Sequence, residues 1–238
     1  MVRSRSLRVP LAVVAVSAIA AIVASSAAAD ISGPCTASIA GQNVKGRGTG
    51  AFSKPITVEK NSVVPVTMSS AGQITHLKIQ ISFAGMSWTV RDKASHGTSW
   101  ASSVNVKKYA KYGVGLYKVT GSSGGVNCSG TALVKVKGNP LSTVAGIVGL
   151  IAALAGLGGI GAAVALTMRA GTMGFGRTVF GALFGLIAGL GLAVLAQQYS
   201  VMYPTMGAAI ASVGIGALFG IGLVYVAHFM GGKVAIPD

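Results

Sequence analysis

Thr178–Gly232 reads TVFGALFGLIAGLGLAVLAQQYSVMYPTMGAAIASVGIGALFGIGLVYVAHFMGG, a run with no Asp, Glu, Lys or Arg. As one helix rising 1.5 Å per residue it would extend roughly 80 Å, far beyond the ~30 Å hydrocarbon core of a bilayer. It must therefore turn back on itself. The turn falls in QQYSVMYPTMG, where Gln197, Gln198, Tyr199 and Tyr203 supply polar and interfacial groups and Pro204 stops a helix. Two spans result, at about 178 to 197 and 206 to 229. Upstream, no charged residue occurs from Gly138 to Met168, which gives a further span at about 143 to 167, and Arg169 and Arg177 flank the connection to the next.

The phrase GALFG stands in both later spans, at Gly181–Gly185 and Gly216–Gly220. Taken every fourth position, one span presents Gly181, Gly185, Gly189 and Ala193, and the other Ala208, Ser212, Gly216 and Gly220. Residues four apart share a helix face, so each span carries a smooth groove. Lipid gives helices no hydrophobic reason to associate, and close backbone approach along small-residue faces takes its place. Glycine's helix cost of ~1 kcal/mol in water matters less where the backbone has no other hydrogen-bond partner. The spacing predicts a glycine-zipper pairing of these two spans. The first span has glycines at 146, 149, 156, 158, 159 and 161, on more than one face, which leaves a surface for a second copy or another membrane protein.

The composition agrees with this placement: 52% of the residues are hydrophobic and 10% charged, against about 25% charged in a soluble domain. The beginning of the chain has the three-part layout of a secretory signal. Arg3, Arg5 and Arg8 precede an apolar run from Val9 to about Ala24, and Ala27-Ala28-Ala29 offers a cleavage site before Asp30. The segment that follows is expected to be exported. There the cysteines, Cys35 and Cys128, are expected to form a disulfide.

Between Asp30 and Gly138 the hydrophobic pattern has period two. In THLKIQISF, Leu77, Ile79, Ile81 and Phe83 fall on one face and His76, Lys78, Gln80 and Ser82 on the other. PITVEK, SVVPVTMSS, MSWTVR, SSVNVK, VGLYKVT and CSGTALVKVK alternate similarly, with turn residues between them. Short strands at this density predict an all-β sandwich. The final pair, GVGLYKVTGSSGGVNCSGTALVKV, resembles the closing hairpin of an immunoglobulin-like sandwich, with Tyr117 at the place of a tyrosine corner. It departs from that pattern at Val119, where an antibody domain has cysteine, so the strand topology stays open.

The expected organisation is a signal peptide at 1–29, a basic β-sandwich ectodomain at 30–138, a linker at 139–142, a three-helix transmembrane domain at 143–230 and a cytoplasmic tail at 231–238. Arg169, Arg177 and Lys233 then lie on the cytoplasmic side, as the positive-inside rule requires.

No motif for catalysis stands out. The exported part has three acidic residues, Asp30, Glu59 and Asp92, too few for a paired acid–base site, and no pattern joins His76 or His96 to a serine nucleophile. His76, His96, Met68 and Met86 are copper-compatible types at spacings that define no site, so neither a metal nor a cofactor is expected. The spans hold no buried charge, which argues against an ion-coupled transporter, and His228 falls at a helix end, where a structural role is expected.

What remains is charge. The exported part has thirteen Lys and Arg against its three acids. The densest piece is VKKYAKYG, where Lys107, Lys108 and Lys111 alternate with Tyr109 and Tyr112. Lys135 and Lys137 come just before the first span, close enough to meet headgroup phosphates. The expected partners are membrane lipids, an anionic envelope polymer, and a second copy or other membrane protein; nucleic acid is not expected. The sequence thus points to a non-enzymatic membrane protein for binding or assembly, with a channel or transport subunit as the alternative.

Overall fold

The computed structural model describes residues 33–45, 54–83, 86–172 and 174–231. The expected signal peptide, with its cleavage site, and the tail beyond Gly231 lie outside the described residues.

Seven strands form one hydrogen-bonded sheet: β1 (Cys35–Ile39), β2 (Gln42–Asn43), β3 (Ile56–Glu59), β4 (Val63–Phe83), β5 (Met86–Asn105), β6 (Gly115–Gly124) and β7 (Cys128–Lys137). The order is β2-β1-β4-β6-β7-β3, with β5 on β4. All pairings are antiparallel except β3 with β7. β4 organises the domain. One of its edges pairs with β5 along nearly its whole length, while the other takes β1 over Val66–Ser70 and then β6 over His76–Ser82. Passing from one partner to another curls the sheet into a near-barrel.

This architecture corrects the expectation of two packed sheets of short strands. SVVPVTMSS and THLKIQISF are one strand of 21 residues, and MSWTVR and SSVNVK lie in one of 20. The intervening SSAGQ has turn composition, yet it stays in the ladder through register shifts between Ser69 and Ile74 and between Ile74 and His76. A bulge takes up the extra residues without ending the pairing, and it bends the strand as it does so.

The interior has two packed regions. Cys35, Met68, Ile74, Leu77, Ile79 and Cys128 surround the Cys35–Cys128 disulfide, whose Cα atoms are 6.1 Å apart. Ile56, Val58, Val64, Phe83, Val114, Tyr117 and Val136 form the other, against which Ala145 of the following helix packs. Between β5 and β6 lies α1 (Val106–Ala110), a single turn whose Val106 and Ala110 point into that core.

A 3₁₀ turn at Pro140–Ser142 leads into three long helices, α2 (Val144–Ala170), α3 (Phe175–Gln198) and α4 (Met206–Gly231). Each is long and apolar enough to cross a membrane, and the bounds follow those read from charge and turn residues. Leu154, Leu183, Leu190, Ile210 and Phe219 are more than half exposed on their outer faces, a surface suited to lipid. α2 ends on Gly171, whose φ of 61° is the left-handed cap conformation; its N–H donates to the Thr167 carbonyl at 3.1 Å.

α3 is the middle helix and is small-sided towards both neighbours. A Cβ on Gly185 would strike the Gly216 carbonyl, one on Gly189 the Ser212 carbonyl, and one on Gly220 the Gly181 carbonyl. Gly181 therefore lies opposite Gly220, Gly185 opposite Gly216 and Gly189 opposite Ser212, as two antiparallel helices in backbone contact require. Ala193 and Ala208 are both buried at the same end of this interface. Towards α2, Gly156 lies against Ala188, and Gly191 against Ala153.

Candidate functional site at the junction of sheet and helices

Asn105 ends β5 in extended conformation, and its Oδ1 accepts the Lys107 N–H at 3.1 Å. This cap starts α1. With Val106 and Ala110 turned inward, Lys107 and Lys108 are left on the outer side. Lys108 Nζ lies 5.8 Å from the centroid of the Tyr109 ring, and Lys111 Nζ lies 4.8 Å from that of Tyr112. Both distances suit cation–π contact, which steadies the ammonium groups and leaves them charged.

The same segment is bonded to the start of the first long helix. Val144 N–H donates to the Lys111 carbonyl at 3.2 Å, and Ala145 N–H to the Tyr112 carbonyl at 2.8 Å. The first N–H groups of a helix have no partner within it, and here the basic loop supplies one. Thr143 completes the cap: its Oγ1 accepts the Gly146 N–H at 3.1 Å. Its hydroxyl lies against the Pro140 carbonyl at 2.7 Å and the Gln198 Oε1 at 2.8 Å, with room to donate to either.

From the other side, the end of α3 reaches the sheet. Gln197, 1% exposed, donates from Nε2 to the Leu116 carbonyl on β6 at 3.0 Å. Gly115, with φ of 97°, packs so closely on this end that a Cβ would collide with the backbone of Gln197 and Gln198. The glutamines were read from sequence as a polar turn between spans. Their position at the last turn of α3 is as expected, but both are buried and fasten helix to sheet. Thr143 was missed as a functional residue; a hydroxyl residue three positions before Gly146, just after a proline turn, was its signal.

Lys135 and Lys137 lie on β7, with side chains opposite in sense to the inward Val134 and Val136. Lys137 Nζ is 3.1 Å from Glu59 Oε1, across the parallel β3–β7 pair that sets Glu59 opposite Lys137. One of the expected phosphate-facing lysines is thus already ion-paired. Lys135, opposite Thr57, forms no ion pair among the described residues. The lysines at 107, 108 and 111 carry the exposed positive charge nearest the helix start.

Elsewhere on the sheet, His76 Nε2 and Asp92 Oδ1 are 2.5 Å apart, with both side chains about half exposed. Met68 is buried beside the disulfide, whereas His76 is exposed on the opposite face of β4 from Leu77. Among the described residues, no three His, Cys, Asp or Glu side chains lie close enough to share a metal ion. At the far end of the helices, Arg177 Nη1 donates to the Thr172 carbonyl at 2.6 Å. Arg169 lies in the last turn of α2 and His228 in that of α4, so these groups cluster away from the sheet.

No family model matches the chain, and no curated protein is significantly similar to it. Two solved structures overlap part of it. An LPMO from Kitasatospora papulosa is 7% identical, with 37% of this chain and 53% of that chain covered and a TM-score of 0.30. A Jonesia denitrificans lytic polysaccharide monooxygenase is 8% identical, with 36% and 58% covered and a TM-score of 0.23. The chain spans little more than half the length of these structures. Overlaps at such scores transfer neither fold nor chemistry.

Proposed function

We propose that the chain is a non-enzymatic integral membrane protein that holds a basic β domain against the outer membrane face, for binding or assembly with anionic envelope components or a membrane partner. The sheet end of the bundle is then extracytoplasmic, and Arg169 and Arg177 lie on the cytoplasmic side. One observation carries the reading: the exposed Lys107–Tyr112 segment is hydrogen-bonded through its own carbonyls to the first turn of α2. Its three lysines are thereby set at the level where a span leaves the bilayer, where each cation is worth about 1 kcal/mol of attraction to an anionic surface. The finer description of the sheet as immunoglobulin-like has one support, the corner hydrogen bond from Tyr117 to the Gly113 carbonyl.

The test is binding of the full chain in neutral nanodiscs to fluorescent polyphosphate at low salt. Lys107→Glu, Lys108→Glu and Lys111→Glu together are expected to weaken binding at least tenfold. Unchanged affinity would remove the proposed role of this segment.

The channel or transport alternative draws on one feature. Gly158 and Gly161 on α2, and Gly207, Gly214 and Gly222 on α4, have open space where a Cβ would point. They leave smooth outer surfaces for further helices. A monomeric detergent complex without conductance in planar bilayers would eliminate this alternative.

A further inference from the structure

The near-barrel is not closed by hydrogen bonds between β3 and β5. Side chains from both strands, Val58 on β3 and Val90 and Val104 on β5, line one interior cavity of about 80 Å³. Its wall is apolar throughout and is completed on one side by Val106, Tyr109 and Ala110 of α1. A second cavity of about 50 Å³ continues towards Trp100 and Met68 and shares Ile39, Val66, Ile79 and Val119 with the first. Val90, Val104 and Tyr109 are only half-buried, so the first cavity reaches the surface on the β5–α1 side. An apolar interior of this kind does not favour water, which needs polar partners. At ~12 Å³ for each water-sized occupant, it has room for about six carbons of a chain.

Three features coincide here: an apolar cavity open beside α1, three exposed lysines on and just after that same helical turn, and hydrogen bonds from that segment to the start of α2. We infer that the β domain takes the end of one acyl chain of an anionic phospholipid into this cavity, with the lipid phosphate held by Lys107, Lys108 and Lys111. This rests on the membrane-surface reading above and gives it a ligand class. An uncharged lipid would match the cavity but not its rim, and a soluble phosphate would match the rim but not the cavity.

The experiment places the full chain in phosphatidylcholine nanodiscs containing phosphatidylglycerol with a diazirine at the acyl terminus. Adducts are mapped by peptide mass spectrometry after illumination, and labelling of α2–α4 is the internal control. Adducts are expected on Val90–Ala110 and on β3 or β7. They should fall at least fivefold when the diazirine is carried by phosphatidylcholine, and in the triple Lys→Glu variant. Val104→Trp, which fills the cavity, should abolish them with the disulfide and melting temperature retained; Ala110→Leu is the second filling variant should that one misfold.

Helix adducts without sheet adducts would overturn the inference, as would sheet adducts that persist in a folded, filled variant. Equal labelling by the two lipids would overturn its anionic part, and loss of labelling on adding excess glycerol phosphate would point to a soluble ligand. If sheet adducts are absent while charge reversal still weakens polyphosphate binding, the acyl site falls and the surface reading stands. If polyphosphate binding ignores charge reversal, the surface reading falls.

Discussion

Tyr117 joins three constraints in one side chain. Its hydroxyl donates to the Gly113 carbonyl at 2.7 Å, and its ring stacks on Phe83 with centroids 4.8 Å apart. Gly113 is close-packed as well, since a Cβ there would come within 3.0 Å of the Phe83 ring. Burial pushes the Tyr117 phenol well above its ordinary value of 10.0. Because the folded state holds the proton more tightly than the unfolded one, Tyr117 adds no pH dependence below about pH 10. Above that, the unfolded state loses the proton first, and stability falls by up to ~1.4 kcal/mol per pH unit. Thermal melts of the full chain from pH 9 upward should show this fall, and Tyr117→Phe should remove its contribution. The same variant leaves a buried carbonyl unpaired and should cost about 1–2 kcal/mol at neutral pH. Tyr117 was legible because a lone tyrosine stands at the entrance of the penultimate strand. Gln197 was not, because a glutamine at the end of an apolar run satisfies a solvent-facing reading equally well, and only the approach of Gly115 tells them apart.

At the level of elements, the paired spans show how far periodicity reaches. A four-residue repeat of small side chains identified the facing positions, because in lipid only such a face admits another backbone. The sheet was less readable, since SSAGQ has the same composition whether it turns the chain or bulges within a ladder. VKKYAKYG reads as a loop by its charge, yet Asn105 is a capping residue directly before it, a signal for the turn of helix that forms. A contrast of substitutions tests the helix pairing. Gly185→Ala puts a methyl group against the Gly216 carbonyl and should lower the melting temperature in detergent by several degrees, since overpacking costs about 1–3 kcal/mol. Gly214→Ala has open space at the same atom and should leave it unchanged or slightly raised. Equal effects at both positions would mean that the backbone contact does not govern the pair.

In the whole molecule, covalent and polar ties act at opposite ends of the sheet domain. The disulfide joins the first strand to the last across 93 residues of sequence, and in the chain-entropy model such a closure stabilises by ~4–5 kcal/mol. Reduction should therefore lower the unfolding transition of the sheet much more than that of the helices. Hydrogen exchange of the full chain, with and without reductant, resolves the two regions. Protection lost equally from both would show that sheet and bundle unfold as one unit.

Where α3 meets α4, backbone lies on backbone over several turns. Sliding either helix lengthwise by one residue would drive Leu or Phe side chains into spaces that hold only hydrogen. The two can tilt or shift together, but piston-like travel of one past its neighbour is blocked. Because α3 also ends on Gly115 and Leu116, any such tilt would turn the leading end of β6 with it, so that sheet and rods move as a single lever.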